Sequence, residues 1–329
     1  MKKILLCFLC FALAIGLNAC RGNEEGVQLL EGNTKDEASI SNNRDNINIA
    51  LVMKTLTNPF FIEMEKGARQ AEEEFDINLI VKTGAQETSI DQQIKIVEDL
   101  ILEEVDAIVI APGGSTELIP VLKKAQDAGI VVVNIDNQLD PKQSEKLGLK
   151  KVPFISVDNV KGGYLSAKYI SDLLKRDTMV AIIEGIATAK NSRDRSAGAL
   201  DAFKENSKIT SIVIATANWK IDEAYEVTKQ IFEKNPDIGA IFCANDMMAL
   251  GTIEYLKNAG KTHVLVAGFD ALSEAKEAVK NHTLMVTIDQ QASVQGYEGI
   301  KCAVDLLNNV EVKQKQIIDV KLVTFSSMQ

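Results

Sequence analysis

INIALVMKTLTNPFFIEMEKGARQAEEEFDINLIVKT, residues 47–83, reads as a strand, a helix and a second strand in succession. Its ends, INIALVM (47–53) and INLIVKT (77–83), are apolar and β-branched with little alternation, the pattern of strands buried on both faces. Between them Phe61, Met64, Ala68 and Ala71 recur at helical spacing along one stripe, with charges opposite. A strand, an amphipathic helix and a further strand close into a parallel pair through a right-handed crossover.

Outward from that unit the alternation continues. Apolar runs follow at DAIVIAP (106–112), GIVVVNID (129–136), PFISVD (153–158), MVAIIEG (179–185) and SIVIATA (211–217). They go on at AIFCAND (240–246), HVLVAGFD (263–270) and LMVTIDQ (284–290), mostly with helical spacing between. The fold class is α/β with doubly wound parallel sheets. The body beyond residue 46 is longer than one open sheet usually carries, so two similar lobes are expected.

Composition narrows the function. Lys plus Arg number 36 against 46 Asp plus Glu, a formal net charge of −10 with no basic block to offset it. A nucleic-acid partner is therefore not expected, because phosphate neutralisation needs clustered cations. The two histidines, His263 and His282, and five cysteines without paired C-x-x-C sets give no metal centre or histidine-based hydrolase. Neither G-x-G-x-x-G nor a P-loop occurs, and no cofactor is expected.

The N-terminus reads as an address. Met1-Lys2-Lys3 precedes an apolar run from Ile4 to Leu17, too short to span a bilayer comfortably. Leu17-Asn18-Ala19-Cys20 then resembles the lipobox of bacterial lipoproteins. That resemblance implies a signal peptide over 1–19, removed on export, and an acylated, palmitate-bearing Cys20 anchoring the protein to a membrane. Residues 21–46 are polar and without periodicity, a tether to the folded body. Cys243 and Cys302 read as buried free thiols rather than a disulfide.

In open parallel sheets ligands sit beyond the carboxyl ends of the strands. The residues there form a consistent set of amides and carboxylates: Asn58, Asp136, Asn137, Asn245, Asp246, Asp270 and Gln290. Carboxylates accept several hydrogen bonds and amides both donate and accept, which suits a ligand covered in hydroxyls.

Thr57-Asn58-Pro59-Phe60-Phe61, Val133-Asn134-Ile135-Asp136-Asn137, Ala244-Asn245-Asp246-Met247-Met248-Ala249-Leu250-Gly251 and Val266-Ala267-Gly268-Phe269-Asp270 together resemble the periplasmic sugar-binding proteins of ABC importers, ribose binders in particular. The resemblance implies a type I periplasmic binding protein fold, two lobes joined by a hinge that the chain crosses three times. One lobe would hold residues 47–156 plus 290–316, the other 157–289 plus 317–329. It further implies capture of a monosaccharide or polyol in the cleft, closure by hinge bending, and reading of the closed form by an importer permease or a chemoreceptor. A monomer facing the periplasm or cell surface is expected.

Carried over, Asn58 would bond hydroxyls while also capping a helix, and Phe60 and Phe61 would offer ring faces to the sugar. Asp136, Asn245, Asp270 and Gln290 would complete a polar ring, with Trp219 as the opposite aromatic wall and Arg193 as the binding arginine. Arg195 reads instead as a surface or lobe-internal ion pair, Lys54 as a solvated ion pair, and Asp246 and Asp158 as helix caps. Two departures count against ribose itself: Asn137 stands where ribose binders carry a second arginine, and Ala111 where they carry an asparagine. A nucleoside or furanose signal and a sensory partner are the alternative readings. An enzyme is not expected, since no nucleophile with its base accompanies the carboxylates.

Overall fold

The computed structural model describes residues 47–329. The signal segment 1–19, Cys20 and the linker 21–46 lie outside the described residues. Two six-stranded sheets, each covered by helices on both faces, carry the chain. The first holds β1 (Asn48–Met53), β2 (Asn78–Thr83), β3 (Ala107–Ile110), β4 (Val131–Ile135) and β5 (Phe154–Val157). Helices α1 (Pro59–Phe75), α2 (Ile90–Leu102), α3 (Ile119–Asp127) and α4 (Pro141–Leu147) connect them.

The second sheet begins after α5 (Asn159–Leu173) with β6 (Thr178–Glu184), β7 (Ile209–Thr216), β8 (Ile238–Cys243), β9 (Leu265–Ala267) and β10 (Val286–Asp289). Its connections are α6 (Lys190–Lys204), α7 (Ile221–Lys234), α8 (Asp246–Asn258) and α9 (Ser273–Lys280). Then α10 (Ala292–Leu307) returns to pack on α1, β3 and β4. Finally β11 (Lys315–Ile318) pairs with β5, and β12 (Lys321–Thr324) pairs antiparallel with β10.

Strand order is β11-β5-β4-β3-β1-β2 in one sheet and β12-β10-β9-β8-β6-β7 in the other. In each, order reverses beside the first strand of its lobe, β1 or β6, which is the switch point where open α/β sheets bind ligands. Continuous Val/Ile runs account for the centres: every residue of β3 is buried, as are five of six in β1. The chain passes between sheets three times: after β5, after β10, and between β11 and β12.

The last two strands had no apolar run to announce them. KQII and KLVT are short edge strands with half of their residues exposed. Pairing also runs past residue 316, with Ile317 and Ile318 opposite Ser156 and Val157.

Within the second lobe α5 and α6 lie in close contact at Gly163. A Cβ there would sit 2.1 Å from the carbonyl oxygen of Arg195. The missing side chain lets α6 lie against α5, and α6 is the helix that projects into the cleft.

Candidate functional site

A small cavity lies between the two lobes, at both switch points. Lys54, Asn58, Phe60, Phe61, Glu87 and Asp136 line it from the first lobe. Asn191, Arg195, Trp219, Asn245, Asp270 and Gln290 line it from the second lobe and the crossing after β10. Eight of the predicted positions are thus brought together, and Arg193 and Asn137 are not.

On the first lobe, Asn58 does two jobs at once. Its Oδ1 accepts from the Phe60 N–H at 3.0 Å, capping α1, with Pro59 at the first helical position. Its Nδ2 donates to Glu87 Oε1 at 2.8 Å. The cap fixes the start of α1, so Phe60 and Phe61 enter the cavity edge to face, with ring centroids 5.0 Å apart. Asp136 closes β4 in the left-handed region, φ 59°, which turns its carboxylate back toward β1. There it meets the Lys54 ammonium at 2.8 Å, with Glu87 at 3.9 Å from the same nitrogen.

Lys54 is thus no solvated surface residue. It is 2% exposed, with its nitrogen 5.6 Å from the Phe61 ring centroid and 6.0 Å from that of Trp219. Being the first residue past β1 places it at the cavity, and two carboxylates and two aromatic rings hold it there.

The second lobe's wall centres on Arg195, which lines the cavity and ion-pairs with Asp270 inside its own lobe, whereas Arg193 does not line it. Arg193 is exposed and donates to its own loop, Nη1 to Ala187 O at 2.7 Å. Arg195 is 2% exposed. The reason is helical phase: α6 starts at Lys190, so Asn191 and Arg195 share a face while Arg193 points away.

Every arm of the Arg195 guanidinium is used. Nε donates to Asn159 Oδ1 at 2.8 Å, Nη1 to Ala244 O at 2.9 Å, and Nη2 to Gln290 Oε1 at 3.1 Å. Nη1 also lies 3.4 Å from Asp270 Oδ1, and the group stacks 3.8 Å from the Phe269 ring centroid.

Asp270 also accepts from Gln290 Nε2 at 2.6 Å. Burial pushes its carboxyl well above the usual carboxylate range, against the opposing pull of Arg195. Burial likewise raises Glu87 against the pull of Lys54. It also lowers Arg195, though a guanidinium stays cationic in a protein.

Trp219 follows β7 in a left-handed turn, φ 68°, and is 4% exposed. Its ring lies on Gly185, where a Cβ would stand 2.1 Å from Trp219 Cε2. Asn245 Nδ2 reaches the Trp219 carbonyl at 3.3 Å, and Oδ1 caps α8 by accepting from the Met248 N–H at 2.9 Å.

The cap of α8 is therefore Asn245, not Asp246. Asp246 is the first residue of that helix, and accepts from Thr287 Oγ1 at 2.7 Å and the Leu272 N–H at 2.9 Å. Asp158 does cap α5, through the Lys161 N–H at 2.9 Å.

Asn137, fully buried, leaves no polar atom for the cavity. Its Nδ2 donates to Pro112 O at 3.1 Å and its Oδ1 accepts from the Asn191 N–H at 3.2 Å. Lys54, Glu87, Asn191 and Arg195 are the lining residues beyond those predicted. Asn191 and Arg195 carried a readable signal, their i, i+4 spacing; Glu87 carried none.

The cavity can therefore offer donors from Lys54, Arg195 and amides, acceptors from three carboxylates, and flat faces from Phe60, Phe61 and Trp219. Two buried atoms there lack a partner, Asn191 Oδ1 and Trp219 Nε1.

Known proteins share this fold. Residues 49–311 match the periplasmic binding protein domain. The D-ribose/D-allose-binding protein of Pseudomonas aeruginosa is 42% identical over 264 residues, covering 79% of this chain and 82% of that protein. The D-allose-binding periplasmic protein of Escherichia coli is 35% identical over 258 residues, covering 78% of this chain and 83% of that one.

Among solved structures, an ABC transporter periplasmic solute-binding protein from Actinobacillus succinogenes with bound D-allose is 38% identical, with a TM-score of 0.80. The match covers 85% of this chain and 98% of that one. The chain belongs to the periplasmic binding protein family, and its work is to bind a solute rather than to transform it.

Proposed function

We propose that this protein captures a monosaccharide, with D-allose and D-ribose the first candidates, and presents it to an ABC importer permease. The observation that carries the reading is the cavity itself: hydrogen-bond donors and acceptors gathered around aromatic faces. Hydroxyl groups both donate and accept, so they can meet carboxylates and cations alike, while ring C–H faces lie on Phe60, Phe61 and Trp219. The likeness to D-allose and D-ribose binders supports those two sugars.

Asn137 leaves no atom for a sugar, and the Lys54 ammonium takes up donor duty on that side. Closure would bring the lobe holding β1–β5, α10 and β11 onto the lobe holding α5, β6–β10 and β12. Both cavity walls come from one chain, which supports a monomer.

The test is a thermal-shift titration with D-allose, D-ribose and myo-inositol. A bound ligand adds RT ln(1 + [L]/Kd), about 2.7 kcal/mol at a hundredfold excess over Kd. D-allose or D-ribose should raise the melting temperature as its concentration rises; a flat response to both would defeat the reading.

We also propose that Cys20 carries lipid and tethers the exported protein to a membrane, on the support of the Leu17-Asn18-Ala19-Cys20 motif. Among the described residues no helix is long and apolar enough to cross a membrane. Detergent phase partitioning should place the full chain in the detergent phase and a Cys20→Ser variant in the aqueous one. Equal partitioning of the two would remove the anchor.

A further inference from the structure

Helix α6 begins without a cap of its own. Ala189 occupies the N-cap position and its methyl group accepts no hydrogen bond. The amides this leaves free are met from the opposite lobe. The Lys190 N–H donates to Ser115 Oγ at 3.0 Å, and the Asn191 N–H donates to Asn137 Oδ1 at 3.2 Å. Ser115 stands in the loop after β3 and Asn137 directly after β4.

The pair is built rather than incidental. Ser115 Oγ donates in turn to Asn137 Oδ1 at 3.4 Å, and Asn137 Nδ2 is held by Pro112 O at 3.1 Å. The Ser115 N–H reaches Thr188 O across the same gap at 3.3 Å. Ser115, Asn137 and Asn191 are each 2% exposed or less.

A helix N-terminus needs partners for its first amides, and here they exist only while the lobes meet. All these bonds run from protein to protein, so they act alike whichever sugar is bound. Asn191 joins them to the cavity, which it lines: its Nδ2 donates to Asp136 Oδ1 at 3.3 Å, and its buried Oδ1 has no protein partner.

We propose that Ser115 and Asn137 cap α6 in trans and so act as positioning residues that set the balance between open and closed lobes. The apparent affinity of a closing binder scales with the fraction of the competent state, so these residues tune affinity without touching the ligand. The proposal rests on the reading of the protein as a sugar binder that closes.

Its test uses D-allose and D-ribose as probes. Ser115→Ala with Asn137→Ala should raise both dissociation constants by one common factor of about ten, equivalent to ~1.4 kcal/mol, mostly through faster release. Ala189→Ser supplies α6 with its own cap. It should raise the melting temperature of the ligand-free protein yet weaken both sugars about threefold. A purely structural role predicts stabilisation with affinity unchanged.

Unchanged dissociation constants in the double variant would overturn the proposal. So would factors that differ more than threefold between the sugars, which would make Asn137 a ligand contact. Dyes on exposed residues of α4 and α7 read closure without sugar, since Cys243 and Cys302 are buried and escape labelling. The closed fraction of the ligand-free protein should fall in the double variant; an unchanged fraction overturns the proposal even if neither sugar binds, which would defeat only the ligand reading.

Discussion

Two arginines two positions apart, Arg193 and Arg195, have opposite surroundings, and helical phase alone separates them. The order of residues in a motif suggested Arg193. The phase of α6 favours Arg195, because Asn191, Arg195, Ala199 and Ala202 make the buried stripe. That signal was in the sequence but needed the helix start to be placed within one residue.

The two arginines should behave differently on substitution. Arg195→Lys replaces a planar fork that reaches four acceptors with a single ammonium. Leaving buried carboxylate and carbonyl groups unpaired costs about 3–5 kcal/mol, so sugar affinity should fall at least a hundredfold. Arg193→Ala should leave it within about twofold, within the ±0.5 kcal/mol expected of a surface substitution. Titration calorimetry with D-allose decides between them, and equal losses would refute the assignment. Lys54 was legible only as a residue following a strand. Its burial comes from Asp136, Glu87 and two rings that lie far away in sequence.

At the scale of elements, the central strands were readable because burial on both faces leaves no alternation to confuse, while the half-buried edge strands β2 and β7 were readable from their β-branched runs. β11 and β12 were not, because an edge strand hydrogen-bonded on one side needs no such run. Helix caps were legible to within one residue: Asp246 was the expected cap of α8, and the structure places that cap one residue earlier, at Asn245.

The consequence for Asp246 is a buried carboxyl, pushed up to about 7 chiefly by desolvation, against the Thr287 hydroxyl and backbone donors. The folded protein then holds a proton there that the unfolded chain releases near ~3.9. This contribution is fully present below that lower value and is lost as pH rises toward about 7. Wild type should therefore be most stable relative to Asp246→Asn near pH 4, with the gap in melting temperature narrowing toward pH 7. A gap that widens with pH would reverse the assignment.

At the scale of the whole molecule, the doubling of the fold was legible from length and alternation, and the crossings only through family resemblance. No local pattern marks α10 as a first-lobe helix, for its apolar face could serve either sheet. What fixes it is complementarity with α1, where Ile300 and Ala303 pack in the buried cluster that includes Met64 and Ala68.

That late return of α10 means neither half of the molecule is a contiguous stretch of chain. A fragment ending at Asp289 would keep five parallel strands of the first sheet yet expose the apolar groove that α10 fills. Re-exposing a large buried aliphatic side chain costs about 1.5–3 kcal/mol, so a few such losses rival the ~5–15 kcal/mol that holds a domain folded. Protease cutting at the crossing after β10 should therefore leave no surviving half on a gel, only intact chain and small peptides. Modular inheritance of one half by recombination at a single breakpoint is closed to this architecture for the same reason.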